Sequence, residues 1–101
     1  MAIPDFQSIM LPLLRCLGDK KEKSNQEITQ DLAKFYNLTP EEINLLLPSG
    51  NQQIFANRVA WAKSYLKQAS LISSTRRGFY KITGKGLEVL QTNPDKINIK
   101  Y

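Results

Sequence analysis

With 101 residues, 42% apolar and 23% charged, the chain is sized and composed for one compact globular domain rather than two, or for a chain disordered along most of its length. It has no histidine and one cysteine, which excludes a Ser-His-Asp triad, histidine metal sites, a cysteine-rich zinc site and an internal disulfide. Net charge is +5, a sign that favours polyanionic partners.

Asp5 is placed to cap a first helix, in which Phe6, Ile9, Met10, Leu13, Leu14 and Leu17 recur at three- and four-residue steps. Pro12 lies inside it and is expected to kink or divide it. Cys16 sits in an apolar stretch and reads as a reduced, partly buried thiol. Gly18 and the charged run from Asp19 to Lys23 predict an exposed turn. Ser24-Asn25-Gln26-Glu27 is a capping box, opening a second helix with Ile28, Leu32 and Phe35 as its buried stripe and Asn37 as a left-handed C-cap. Thr39-Pro40-Glu41-Glu42 repeats the signal for a short third helix, with Ile43, Leu46 and Leu47 as its apolar face and Pro48-Ser49-Gly50 as its stop.

The fourth helix spans about residues 52–69. Phe55, Val59, Ala62, Leu66 and Ala69 share one narrow face. At about 100° per residue the opposite side carries Gln53, Asn57, Ala60, Ser64, Lys67 and Gln68. Leu71 to Ser73 reads as a short strand, residues 74–78 as a turn, and Phe79 to Ile82 as the returning strand, with Tyr80 and Ile82 on one face and Phe79 and Lys81 on the other. This hairpin carries Arg76 and Arg77 at its tip. Thr83 can cap a last helix holding Leu87, Val89 and Leu90, its first turn weakened by Gly84 and Gly86. Asn93-Pro94 should end it. Residues 95–101 read as a linker or an edge strand.

The predicted fold class is therefore mainly α with a small β-hairpin (α+β). Two helices leading into a longer amphipathic helix, followed directly by a hairpin, is the winged helix-turn-helix plan, in which the long helix enters the major groove and the wing lies on backbone or minor groove. Charge follows the same division. Residues 1–50 hold five cations and seven carboxylates, net −2, whereas residues 51–101 hold nine and two, net +7. No acid occurs between Glu42 and Glu88, a stretch with seven lysines and arginines. A field of one sign attracts double-stranded DNA. The residues expected to bind it are Gln53, Asn57, Ser64, Lys67 and Gln68 on the helix, Arg76, Arg77 and Lys81 on the wing, and Lys85 beyond it. Amides read adenine edges, lysine meets guanine or phosphate, and arginine suits phosphate or a narrow minor groove. Lys63 lies toward the flank, where phosphate is the contact expected of it. Arg58 is expected to hold the wing or an acidic partner, and Trp61 to pack on the wing or a partner. Tyr65 and Phe79 read as core or interface residues.

Phosphate-loop patterns are absent, and Thr83-Gly84-Lys85-Gly86 lacks their spacing. Glu41-Glu42 suits a helix dipole rather than catalysis. The chain is expected to be no enzyme by itself, with no catalytic residue, metal or cofactor. It has neither a secretory signal nor the run of roughly 20 apolar residues that a membrane span needs, so a cytoplasmic location is expected.

Leu47-Pro48-Ser49-Gly50, Asn57-Arg58-Val59-Ala60-Trp61-Ala62, Tyr65-Leu66-Lys67-Gln68-Ala69, Arg76-Arg77-Gly78 and Ile82-Thr83-Gly84-Lys85-Gly86 follow one another along the chain, and Pro12-Leu13-Leu14-Arg15 precedes them. This series resembles the N-terminal domain of the Mrr restriction system protein family. Ser70 stands where that family usually has glycine, and Gly84-Lys85 replaces a typical acidic pair. The resemblance implies a DNA-binding target-recognition domain, residues 5–92, followed by a linker, residues 93–101, to a C-terminal nuclease domain. The full-length parent would be a metal-dependent, methylation-directed restriction endonuclease. A homodimer would suit a palindromic target. The alternative is a winged-helix module for protein-protein interaction or dimerisation, whose mark would be an exposed apolar patch including Trp61, Tyr65 or Phe79.

Overall fold

A computed structural model describes residues 3–48, 50 and 52–92. In chain order these form α1 (Phe6–Cys16), β1 (Lys23–Ser24), α2 (Asn25–Phe35), α3 (Pro40–Asn44), α4 (Ile54–Gln68), β2 (Ile72–Arg76), β3 (Phe79–Ile82) and α5 (Gly84–Gln91). The fold is mainly α with a small antiparallel sheet, as expected, and the strand order is β1-β3-β2. The expected ending of the last helix at Asn93-Pro94 and the linker over 93–101 lie outside the described residues.

The helix starts are where the capping residues put them. Asp5 accepts from the Ser8 N–H at 2.7 Å. Ser24 with Glu27, and Thr39 with Glu42, close reciprocal capping boxes. Thr83 accepts from the Gly86 N–H at 3.0 Å. Asn37 takes the left-handed conformation at the end of α2 (φ 54°).

Pro12 does not divide α1, which runs on through it. Proline removes the hydrogen bond that residue 12 would give to the carbonyl of residue 8. Tyr36 replaces it, its hydroxyl donating to the Ser8 carbonyl at 3.2 Å.

The core lies where α1 crosses α4, lined by Ile9, Leu13, Leu14 and Leu17 against Phe55, Val59, Ala62 and Leu66, all at most 1% exposed. Burying each large apolar side chain stabilises the fold by about 1.5–3 kcal/mol before entropy is counted. Ile28 and Leu32 close it from α2, and Leu71, Ile72, Ile82 and Val89 from the sheet and α5.

Four local expectations need correction. Phe35 is not part of the buried stripe of α2 but 65% exposed. The stripe continues instead through Ala33 and Tyr36, because Tyr36 is drawn in to reach Ser8. The third helix stops at Asn44, before Leu46 and Leu47. Leu45 turns extended, and the Leu47 N–H → Gln52 O and Ile54 N–H → Leu45 O bonds, both 2.8 Å, form a loop closed on itself with Leu45 and Leu46 exposed. The strand β2 extends to Arg76, past the expected Ser73. A bulge between Ser74 and Arg76 absorbs one residue, and Gly78 (φ 79°) lets the chain reverse over Arg77-Gly78 alone. Lastly, β1 was not anticipated: two residues are too short to alternate, yet Lys23 pairs with Tyr80 and Ser24 with Phe79.

Ser70, at the exit of α4, has φ 64°. The left-handed geometry that favours glycine is thus kept with serine in place.

Candidate nucleic-acid interface

The buried face of α4 anchors it on α1, so its remaining surface is fixed in direction. Along that surface Ala60, Ser64, Lys67 and Gln68 are exposed. The two amides nearer its start are engaged within the fold: Gln53 Nε2 donates to Asn44 Oδ1 at 3.0 Å, and Asn57 Nδ2 donates to Gln52 Oε1 at 2.8 Å. Of the five expected groove residues, Ser64, Lys67 and Gln68 therefore stand open, while Gln53 and Asn57 tie down the loop before α4.

The β2–β3 hairpin divides its cations. Arg77 is exposed in the turn. Arg76 is not at the tip but ends β2; its Nε lies 3.2 Å from Glu22 Oε1 and its guanidinium 3.9 Å above the Phe79 ring. The Thr75 hydroxyl donates to the same carboxylate. Glu22 thereby ties β2 to the chain just before β1. Alternation along β3 sends Phe79 and Lys81 to one sheet face and Tyr80 and Ile82 to the other, the face turned to α4. Lys81 is exposed on the outer face, opposite Ser73, and Lys85 is exposed in the first turn of α5. The structure thus brings Ser64, Lys67 and Gln68 together on one helix, sets Arg77 in the turn of the hairpin, and places Arg76, Lys81 and Lys85 elsewhere.

Lys63 is not a flanking surface residue but 8% exposed. Its ammonium donates to Asn25 Oδ1 and sits 4.9 Å from the Tyr80 ring centroid, and burial pushes its pKa down. These two residues line a cleft of about 360 Å³ with Ala60, Lys63, Ser64 and Lys67. Sequence reasoning missed Asn25 and Tyr80 as part of this surface. The capping box marked Asn25 only as a helix start, and without β1 nothing placed it against the hairpin, where its N–H meets the Gly78 carbonyl at 2.9 Å.

Arg58 reaches the start of the chain rather than the hairpin, and, after the Ser8 hydrogen bonds, its charge helps to lower the pKa of Asp5. Its Nη1 donates to the Ile3 and Pro4 carbonyls at 2.8 and 3.3 Å. Trp61 does not pack on the hairpin; it is 53% exposed, with its ring centroid 6.3 Å from that of Tyr65, which stacks on Phe6 at 5.1 Å. Cys16 is half-buried as expected, and burial first, then the hydrogen bond to Asp31, pushes its pKa up to about 11. Among the described residues no three His, Cys, Asp or Glu side chains gather to hold a metal ion, and no helix is long and apolar enough to cross a membrane.

The Mrr N-terminal domain model matches residues 6–92, and the chain belongs to that family. Among curated proteins it is similar to the type IV methyl-directed restriction enzyme EcoKMrr of Escherichia coli (strain K12), at 28% identity over 95 residues, 93% of this chain. The chain spans 31% of that enzyme's length. No solved structure matches it.

Proposed function

We propose that the chain is a winged-helix DNA-binding domain that recognises the target for a methylation-directed restriction endonuclease. In this reading α4, the helix expected over residues 52–69, lies in the major groove and the wing over residues 74–78 meets backbone or minor groove. The observation that carries the reading is the fate of the acid-free stretch. Lys67, Arg77, Lys81 and Lys85 are all exposed, and among the described residues none pairs with a carboxylate. Cations left without internal partners are free to displace counterions from phosphate. Ser64, Lys67 and Gln68 offer base edges a hydroxyl, an ammonium and an amide. Arg77 leads the wing, whereas Arg76 stiffens it through Glu22 and Phe79.

Cleavage belongs, in this reading, to a metal-dependent nuclease domain reached through residues 93–101, since the relative is a restriction enzyme more than three times as long as the aligned segment. The protein acts in the cytoplasm, and two copies would match a palindromic site.

The test is fluorescence anisotropy of a labelled duplex at two salt concentrations. Binding that weakens as salt rises is expected, with the slope set by the number of phosphates neutralised. No binding at low salt, or affinity indifferent to salt, would refute the reading.

One observation favours the second reading, a protein-docking module. Trp61 stands exposed beside Tyr65, next to the surface assigned to DNA. Trp61→Ala separates the two: loss of self-association with duplex affinity intact assigns that patch to protein.

A further inference from the structure

Among the described residues Lys63 is the charged side chain buried in the fold, at 8% exposure, and no carboxylate there pairs with it. Its neighbours are neutral: the Asn25 side-chain oxygen Oδ1 accepts one of its protons and the Tyr80 ring lies beneath it. Holding an ammonium out of water against neutral groups is costly, and an apolar side chain of the same length would fill the space at lower cost. The fold nevertheless aims this charge into a cleft that opens to solvent. The other walls are chemically consistent. The small side chain of Ala60, the hydroxyl-bearing Ser64 and a second lysine, Lys67, all exposed, complete the lining, and no acid is among the residues that line the cleft. An ammonium has three donors, and Asn25 uses one.

We propose that this cleft is a phosphate clamp, in which Lys63 and Lys67 straddle one phosphate and the Ser64 hydroxyl donates to it. Asn25 and Tyr80 are positioning residues that hold the Lys63 ammonium in place. An entering anion supplies the counter-charge that the fold withholds, so the cost of burying Lys63 is offset only in the complex. The clamp rests on the duplex-binding reading and names its contact, a backbone phosphodiester; free phosphate shares the chemistry.

The experiment uses the whole chain with two probes, a labelled duplex and inorganic phosphate. Lys63→Met is expected to keep or raise the melting temperature while weakening duplex binding at least tenfold. If that variant fails to fold, Ser64→Glu, on the exposed rim, is expected to give the same loss, whereas Gln30→Glu, the same charge on α2, leaves affinity within about twofold. Duplex bound equally by wild type, Lys63→Met and Ser64→Glu overturns the clamp and leaves the duplex reading standing. Should the wild type not bind duplex, that reading fails and the phosphate arm decides the clamp. Saturable shifts of the Ser64 and Lys67 amide signals with phosphate, lost in Lys63→Met, support it. Their absence overturns it.

Discussion

The Tyr36 hydroxyl donates to the Ser8 carbonyl at 3.2 Å, the acceptor that Pro12 leaves without its helical partner. A hydrogen bond between side chain and backbone thus repairs α1 from α2, and it joins the two helices at the same point. Tyr36→Phe is expected to cost about 1 kcal/mol in a denaturant titration. Pro12→Ala restores the missing N–H, so in that background the cost should fall well below its wild-type value. Equal costs in both backgrounds would show the bond to be incidental.

Gly84 and Gly86 sit in the same helical turn and should answer oppositely to alanine. A Cβ on Gly86 would lie 2.2 Å from the Leu71 carbonyl oxygen and 2.7 Å from Ile82 Cγ1. Gly86→Ala is expected to destabilise by about 2–3 kcal/mol through overpacking. A Cβ on Gly84 meets nothing within 4 Å. Gly84→Ala should stabilise by about 0.4–1 kcal/mol by restricting the unfolded chain. Urea midpoints of the two variants check the contrast.

Ser70 holds a left-handed backbone (φ 64°) with its N–H on the Lys67 carbonyl at 3.0 Å and its carbonyl receiving the Thr83 hydroxyl at 2.6 Å. Ser70→Gly removes a Cβ strain of about 1–2 kcal/mol but adds about 0.5–1 kcal/mol of unfolded-state entropy. The expected net is a gain of a few tenths to about 1 kcal/mol in thermal or chemical denaturation; a loss would contradict the strain argument.

Burial first, with the Asp31 hydrogen bond second, raises the Cys16 pKa to about 11, against the opposing charge of Lys23. The folded pKa exceeds the unfolded one, so the thiol form is preferred in the fold. Its stabilising share is constant below the ordinary thiol value of 9.0 and is lost as pH climbs through the window up to the folded value. At pH 8 the thiolate should be about 100-fold scarcer in the folded chain than in the unfolded one. Iodoacetamide alkylation, timed in buffer and in denaturant, should show a rate ratio of that order; equal rates would contradict it.

The helix starts were legible because capping is local: Asp5, Ser24, Thr39 and Thr83 each bond backbone within three residues. The buried face of α4 was legible because fifteen residues give the helical period time to repeat. What depended on partners distant in sequence was not. Phe35 and Tyr36 are equally apolar neighbours, and the choice between them is made by Ser8, 28 residues from Tyr36. Likewise β1 exists because β3 offers it a free edge, and Arg76 leaves the tip because Glu22 and Phe79 hold it. The basic character of the second half was plain from composition. That Lys63 turns inward while Lys67, one turn on, stays out was not, since Asn25 and Tyr80 come from other elements.

The central claim is that the open end of α4 and the tip of the wing meet a duplex, and amide chemical-shift mapping of the chain titrated with duplex DNA tests it most directly. Shifts concentrated at Ser64, Lys67, Gln68, Arg77 and Gly78 are the result this account predicts. Shifts confined to Phe6, Trp61 and Tyr65, or scattered evenly over the molecule, would contradict it.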